Sequence, residues 1–303
     1  MTESLRRLLQ QPIDYAGLYP PAKLDMQAAL YEYKRVMESD DAWIVNRFVI
    51  AGSQLEHGAE IWNGVRDNVD DRVPATVVGR ALSIGETAPA SLLAEQELIE
   101  AQVSRFDVSG FEVRLPLGNE LAGCAGALKK HHAWFADREI DVFVELPLGE
   151  GLSEAMAEVA SQIDGVGFKA RTGGVKAELF PSVGELAEFI SEVAGLEAPF
   201  KYTAGLHEPL RYFDTELAVY RHGFLNVMLA SALAMIKHAT VSEVEKVLTV
   251  EDAGLFKFTD QTVEVLGASL SLKDIDEWWL YFGGYGACVY DEQIAGLKRL
   301  RLT

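Results

Sequence analysis

Short runs of β-branched and aromatic residues recur along the chain, and a segment with helical spacing of apolar positions follows almost every run. The runs begin near Ile13, Ile44, Ala75, Asp107, Ile140, Val166 and Phe200, at intervals of 26 to 34 residues. Apolar residues at positions i, i+3, i+4 and i+7 predict helices over residues 24–37, 54–65, 91–103, 119–135, 152–163 and 183–193. The pattern is typical of a repeated strand–helix unit.

Helix-capping residues agree with this pattern. The expected N-caps are Ser53, Ser91, Asn119, Ser153 and Ser182. Ser182 has Glu185 three residues later, which is the spacing of a capping box. Repeated strand–helix units with nearly continuous apolar strands imply a parallel sheet covered by helices. Seven such units favour a closed (β/α)8 TIM barrel over an open doubly wound sheet.

The eighth strand has two candidates, residues 223–229 and residues 287–290. We prefer the second, because residues 226–238 read as one unbroken helix and because a last strand needs a helix after it, here residues 293–302. The glycine cluster at residues 283–286 is then predicted to form a turn before that strand.

This choice divides the chain into three parts. Residues 1–211 form barrel strands one to seven with their helices, residues 212–283 form a mainly helical insertion, and residues 284–303 form the last strand and closing helix. The insertion contains the aromatic segment 278–282, which we expect to be too apolar to face water. The insertion could cover the active site as a lid or pack against a second subunit. We favour the subunit contact, and so expect a homo-oligomer.

Composition excludes several classes of protein. The chain has 27 Lys and Arg against 46 Asp and Glu, a net charge of −19, so neither nucleic acid nor an anionic membrane is an expected partner. The longest apolar run, residues 225–236, is too short to span a membrane. Cys124 and Cys288 lack the spacing of a zinc site, and we expect no metal, no cofactor and no disulfide. Residues 1–11 lack the apolar core of a signal peptide, and we expect a cytoplasmic protein.

The sixth and seventh strands end in similar segments, KARTGG at residues 169–174 and KYTAGL at residues 201–206. In a (β/α)8 barrel the active site lies at the carboxyl ends of the strands, so Lys169 and Lys201 should face each other there. Two neighbouring ammonium groups in an enclosed site lower the pKa of one of them. A neutral lysine amine can attack a carbonyl carbon to form a Schiff base.

These segments resemble the class I deoxyribose-phosphate aldolases, whose members have K-x-[ST]-T-G on strand six and K-x-S-G-G on strand seven. The opening IDYAGLYP at residues 13–20 is similar to the family's I-D-H-T-x-L-x-P, and Glu145 is similar to its strand-five glutamate. The resemblance implies a Schiff base on Lys169 with Lys201 as its activator. The chain departs from the family in having Glu112 near the strand-four aspartate position, Arg171 in place of a small hydroxyl residue, and the insertion.

Further residues at the predicted strand ends complete the candidate site. Glu145, Glu112 and His207 could move protons, and Asp14 could orient a lysine. The predicted substrate-binding residues are Arg171, Thr172, Gly173, Gly174, Thr203, Gly205, Arg211 and Arg114. Inward charges in a barrel can instead form structural ion pairs, so a structural role for either lysine stays open.

Three functions remain open from the sequence. The first is an aldolase-type carbon–carbon lyase acting on a small aldehyde or ketone, with or without a phosphate group. The second is a barrel enzyme that binds a sugar phosphate or carboxylate noncovalently through Lys169, Lys201, Arg171 and Arg211, as isomerases, decarboxylases and phosphoribosyl transferases do. The third is a noncatalytic barrel that acts through its insertion. In the first two the partner is a small molecule.

Overall fold

The computed structural model of the chain describes residues 1–83 and 87–302, and eight parallel strands close into a barrel. The strands are β1 (Ile13–Tyr15), β2 (Val45–Ala51), β3 (Val73–Val78), β4 (Phe106–Arg114), β5 (Asp141–Glu145), β6 (Gly167–Arg171), β7 (Phe200–Thr203) and β8 (Phe282–Ala287). Each strand pairs with the next along the chain, and β8 closes the ring between β7 and β1. The predicted TIM barrel is confirmed.

Helices form the outer layer of the barrel. Within the described residues the α-helices are α1 (Glu3–Leu8), α2 (Met26–Met37), α3 (Leu55–Val65), α4 (Thr87–Ala101), α5 (Leu121–Ala136), α6 (Leu152–Gln162), α7 (Val183–Gly195), α8 (Phe224–Lys237), α9 (Val241–Leu248), α10 (Leu272–Trp279) and α11 (Asp291–Arg299). From α2 to α8 each helix contacts the next. No helix of the described residues has both the length and the apolar character needed to cross a membrane.

One of the predicted helix caps is present. The Ser182 hydroxyl accepts a hydrogen bond from the Glu185 amide, and the Glu185 carboxylate accepts one from the Ser182 amide, which is the predicted capping box. The other four predicted caps are wrong. Two of them lie in short 3-10 turns before the helix, one lies inside a helix that begins earlier, and one lies in the first turn of a helix whose N-cap is a left-handed glycine. These four residues are Ser53, Ser91, Asn119 and Ser153.

The eighth strand lies earlier than the predicted 287–290. The glycine cluster, read from the sequence as a turn, is part of β8, where Tyr285 pairs with Ile13 of β1 and is fully buried. Glycine is needed for space at this point, because a Cβ atom on Gly283 would lie 2.6 Å from the Phe143 ring. The predicted boundary between residues 283 and 284 therefore falls inside a strand. The alternative candidate, residues 223–229, lies mostly in α8.

Residues 212–283 contain more than the expected helices. They include a hairpin of two short strands (Tyr212–Asp214 and Val219–Arg221) and a sheet of three (Phe256–Phe258, Thr262–Val265 and Ala268–Ser271). The helix predicted over residues 226–238 is α8, which begins at Phe224, shortly after the hairpin. Because α8 follows β7 and packs against α7, it belongs to the outer ring of the barrel itself.

The aromatic segment of this region lies away from the carboxyl ends of the barrel strands. The sheet and α10 contact α1, which precedes β1: the Ser4 amide donates to the Thr259 carbonyl at 3.3 Å, and the Trp279 indole donates to the Arg7 carbonyl at 3.0 Å. Trp278 is fully buried and stacks on Phe282 with ring centroids 4.3 Å apart. The chain covers most of this apolar surface itself, so the aromatic residues give no reason for a subunit contact.

We expect Trp278→Ala to lower the free energy of unfolding by about 3–5 kcal/mol, because it leaves a large cavity in a packed core. The neighbouring Leu280 is 79% exposed, and Leu280→Ala should change that free energy by no more than about 0.5 kcal/mol. Urea unfolding of the two variants measures the difference. Similar unfolding midpoints would contradict the packing described here.

Candidate active site

A cavity of about 620 Å³ opens at the carboxyl ends of the barrel strands. Because alternate residues of a strand point to the same face, strands β2 to β7 each place at least one side chain into it. The strand residues that line the cavity are Val49, Val78, Glu112, Val113, Arg114, Glu145, Lys169, Arg171, Thr203 and Gly286. This is the end of the barrel where barrel enzymes carry their active sites.

Two lysines share one carboxylate beneath this cavity. Lys169 Nζ lies 2.6 Å from Glu112 Oε2, and Lys201 Nζ lies 2.6 Å from Glu112 Oε1. The two lysines are direct partners in the β6–β7 register, as their spacing predicts. They do not meet each other, however, because Glu112 reaches from β4 and separates the two ammonium groups.

Asp14, Lys201, Glu112, Lys169 and Glu145 form one cluster of charged side chains. Its deeper end is buried in the barrel. Lys201 Nζ also lies 2.6 Å from Asp14 Oδ2, which accepts a second hydrogen bond from Thr76. Asp14 Oδ1 accepts a bond from Arg47 Nε at 3.0 Å. Lys201 is 1% exposed and does not line the cavity. Asp14 is predicted to orient a lysine, and the lysine that it contacts is Lys201.

The outer end of the cluster faces the cavity. Lys169 Nζ lies 2.7 Å from Glu145 Oε2, while Arg114 donates to Glu145 Oε1 and Arg171 Nε lies 3.6 Å from the same oxygen. Lys169, Glu145 and both arginines line the cavity. The charges therefore alternate from the closed end to the open end in the order Arg47, Asp14, Lys201, Glu112, Lys169, Glu145.

This alternation sets the protonation of the site. Burial acts to raise the pKa of Glu112, but the two lysines outweigh it and hold that pKa at about 2. Burial likewise opposes ionisation of Asp14 and Glu145, and their cationic neighbours lower the pKa of each. Burial acts to lower the pKa of Lys169, but Glu112 and Glu145 raise it above its ordinary value. The expected lowering of the Lys169 pKa by a facing cation is therefore wrong, since the Glu112 carboxylate bonds both lysines.

Acid should destabilise the protein through Glu112. Its pKa is about 2 in the folded chain against an ordinary 4.5, so its stabilising effect is complete above pH 4.5 and is lost as pH falls toward 2. The loss is on the order of 3 kcal/mol. Urea unfolding across this range should show a smaller fall in the free energy of unfolding for Glu112→Gln than for the unmodified chain. Equal falls would show that this carboxylate is not held by the lysines.

Most predicted site residues lie together at the cavity. Arg211, Thr172 and Gly173 do not line it, and neither do the more deeply placed Lys201 and Asp14. Arg211 bonds Glu251 and stacks on the Tyr220 ring, with 3.6 Å between its guanidinium carbon and the ring centroid. It turns away because the hairpin begins directly after it. Thr172 is fully buried and donates to the Ala204 carbonyl, which ties the loop after β6 to the loop after β7.

The glycines of these two loops serve mainly to bring the loops together. A Cβ atom on Gly173 would lie 2.9 Å from the Gly205 Cα, and Gly205 has a positive φ of 83°. Gly173 is enclosed by this packing and is not part of the cavity wall. Gly174 and Gly205 do line the cavity, as predicted, and so does Thr203.

His207 lies at the cavity wall, and its Nδ1 atom is 2.7 Å from Glu292 Oε2 in the first turn of α11. This contact can hold one ring nitrogen and leave the other for the cavity. His207 does not contact the lysine cluster through any hydrogen bond or ion pair found among the described residues.

Sequence reasoning missed several residues of the site. Tyr19 lines the cavity, and its hydroxyl is buried with no hydrogen-bond partner in the described part of the chain. Burial and the nearby Glu112 raise its pKa, so it stays protonated and can donate. Arg221 of the hairpin also lines the cavity and is paired with Asp214. Pro20 and Pro21, which follow Tyr19, also line the cavity. This proline pair is the sequence signal that the loop after β1 turns at the open end of the barrel.

Comparisons with known proteins give no family for this chain. No protein-family model matches it, and the search of curated proteins finds no match. Among residues 1–83 and 87–302, no group of three His, Cys, Asp or Glu side chains is arranged to hold a metal ion. The barrel and the contacts of Lys169 and Lys201 are therefore the features from which a function can be inferred.

Proposed function

We propose that the protein is a carbon–carbon lyase of the class I aldolase type, which forms a Schiff base between Lys169 and a small aldehyde or ketone. One observation carries the proposal. The Lys169 ammonium lies at the floor of a cavity at the carboxyl end of a TIM barrel, held between Glu112 and Glu145, which also line the cavity. A nucleophile between two proton acceptors is the arrangement that this chemistry needs.

The first step is loss of a proton from Lys169. Transfer of that proton to Glu112 Oε2 or Glu145 Oε2, at 2.6 and 2.7 Å, converts an ion pair into a neutral amine and a neutral acid. The transfer leaves the net charge of the cluster unchanged. Burial disfavours the ion pair more than the neutral pair, so a substrate that displaces water from the cavity favours the neutral amine.

The neutral amine then attacks the carbonyl carbon and forms a carbinolamine. The protonated carboxyl group returns its proton to the carbinolamine hydroxyl, which leaves as water and gives the iminium ion. A carboxylate takes the proton of the β-hydroxyl group, the bond between the α and β carbons breaks, and its electron pair passes to the iminium nitrogen as an enamine. An aldehyde leaves, the enamine carbon is protonated, and water hydrolyses the remaining iminium.

Lys201 acts on this chemistry from behind the cavity. It is 1% exposed and bonds both Asp14 and Glu112, so it fixes the position of the Glu112 carboxylate beside Lys169. The Phe143 ring lies 5.3 Å from its ammonium group and helps to enclose it. We therefore assign Lys201 a positioning role and reserve contact with substrate for Lys169.

Borohydride trapping tests the proposal. The protein is incubated with a panel of aldehydes, ketones and oxo acids, reduced with borohydride, digested and mapped by mass spectrometry. We expect at least one carbonyl compound to leave a stable adduct on the peptide that contains Lys169. An adduct confined to surface lysines such as the exposed Lys176, or no adduct across the panel, would overturn the proposal.

A noncovalent function is the second candidate, and the raised pKa of Lys169 favours it. A charged Lys169 with Arg171 and Arg114 at the same wall can hold an anion without forming a bond to it. Arg211 and Lys201 take no part in such a clamp, since neither lines the cavity. Protection of the protein against thermal unfolding by a phosphate or carboxylate compound, with no trapped adduct, would favour this candidate. If neither a trapped adduct nor protection against thermal unfolding is observed, the noncatalytic barrel is the remaining candidate function.

A further inference from the structure

The outer end of the charge cluster has more positive than negative groups. The carboxylates of the cluster are Asp14, Glu112 and Glu145, and the cations bound to them are Arg47, Lys201, Lys169, Arg114 and Arg171. The two extra positive charges are the arginines on Glu145, whose side chains are 54% and 36% exposed at the cavity. A protein with a net charge of −19 therefore presents a locally cationic wall beside Lys169.

Arg171 is the cation with the most unused hydrogen-bonding capacity. Its Nε atom is 3.6 Å from Glu145 Oε1 and its Nη1 atom is 3.4 Å from the Gly173 carbonyl, both longer than an ordinary hydrogen bond of about 2.9 Å. Its planar guanidinium can still donate two parallel bonds to a carboxylate. Arg114 is held more firmly, because it donates to Glu145 through both Nε and Nη2.

The position of Arg171 limits where the anionic group of a substrate can lie. Lys169 and Arg171 are alternate residues of β6, so both point into the barrel. They contact the two oxygens of the same carboxylate, Glu145 Oε2 and Oε1. An anion on Arg171 is therefore only a few bond lengths from the Lys169 nitrogen. An acid group bonded directly to the reacting carbonyl carbon meets this condition, whereas an acid group several carbons away would have to fold back.

We propose that the substrate is a 4-hydroxy-2-oxo acid, whose carboxylate is bound by Arg171 with Arg114 while Lys169 attacks its C2 carbonyl. This inference rests on the proposed function. The C2 carbonyl and the amine form an iminium ion and release water. The C3–C4 bond then breaks, the proton of the C4 hydroxyl goes to a carboxylate, and an aldehyde leaves. Protonation of C3 and hydrolysis release a 2-oxo acid, so atoms and electrons balance without an oxidant or a further reactant.

The test compares carbonyl compounds with and without the adjacent carboxylate. The intact protein is trapped with borohydride in the presence of pyruvate, acetone or acetaldehyde, and the rate of adduct formation on Lys169 is followed by mass spectrometry. We expect pyruvate to exceed acetone by roughly 10- to 100-fold, the effect of one charge-assisted pair of hydrogen bonds. Arg171→Met should remove most of this preference, measured as the ratio of the pyruvate and acetone rates on the same preparation.

Lys176→Met is the matched control, because it removes one positive charge from the same loop at an exposed position outside the cavity. It should keep the preference for pyruvate. A Lys169 adduct with acetaldehyde but no preference for pyruvate would overturn the substrate class and leave the Schiff-base function intact. The absence of any Lys169 adduct would overturn both. An unchanged preference in Arg171→Met would show that another group binds the carboxylate.

Discussion

Lys169→Met is expected to abolish adduct formation and lyase activity, with loss of at least about 1,000-fold in rate, because among the described residues no other lysine lines the cavity to form the Schiff base. The methionine side chain fills a similar volume, and Glu112 and Glu145 keep Lys201 and Arg114 as partners. The variant should therefore fold. The measurement is single-turnover trapping of the best carbonyl compound, with thermal unfolding as the check on folding. A folded variant that still cleaves substrate would contradict the role given to Lys169.

Lys201→Met is the companion variant and should behave differently. The adduct should still form on Lys169, since Lys201 does not line the cavity. Loss of the neighbouring cation should raise the pKa of Lys169 further, so trapping should reach half its maximum at a higher pH. Unchanged pH dependence in this variant would show that the two lysines are not coupled through Glu112.

Glu112→Gln should have the second largest effect. Glu112 is 4% exposed and is the anion between two ammonium groups, so its loss leaves positive charge buried without compensation. We expect the free energy of unfolding at neutral pH to fall by about 3–5 kcal/mol. The same change should lower the pKa of Lys169, and trapping by borohydride should move to lower pH.

Urea unfolding measures the free energy of unfolding of Glu112→Gln, and the pH profile of borohydride trapping reports the pKa of Lys169. Glu178→Gln serves as the control, because Glu178 is exposed and lies outside the cavity. A purely structural Glu112 would lower stability and leave the pH profile in place. A stable variant with an unchanged profile would contradict the arrangement of the cluster.

The barrel and the register of its charged residues could be predicted from the sequence. Parallel strands repeat at nearly constant intervals, so Lys169 and Lys201 fall opposite each other in β6 and β7, and Glu145 falls opposite Lys169 in β5 and β6. Alternation along a strand then indicates which residues face inward. The inward direction of Arg171 follows from the same rule.

The contacts across the barrel could not be predicted in this way. Glu112 separates the lysines because its side chain reaches past β5, and this depends on barrel curvature and side-chain length rather than on spacing. Arg47 was missed for a different reason, because it meets Asp14 from the neighbouring strand β2, where the register shifts between Ile13 and Tyr15. Arg211 was misplaced because the hairpin that redirects it begins beyond the repeated pattern.

The glycine-rich eighth strand shows a different limit. The composition of Gly283, Gly284 and Gly286 predicts a turn, yet these residues lie in β8. Glycine is needed there because a larger side chain would meet the Phe143 ring, the Pro12 carbonyl or the Thr203 side chain. Crowding by residues far apart in the chain decides this. A local pattern of apolar and polar positions does not contain that information.

We expect Lys169, and not Lys201, to form the bond to substrate. A crystal structure of the protein after borohydride reduction with pyruvate tests it most directly. The expected result is continuous density from Lys169 Nζ to C2 of the reduced ligand, with the ligand carboxylate on Arg171 and with Lys201 still bound to Glu112 and Asp14. Density that joins the ligand to Lys201, or a ligand held by the arginines with no bond to either lysine, would contradict it.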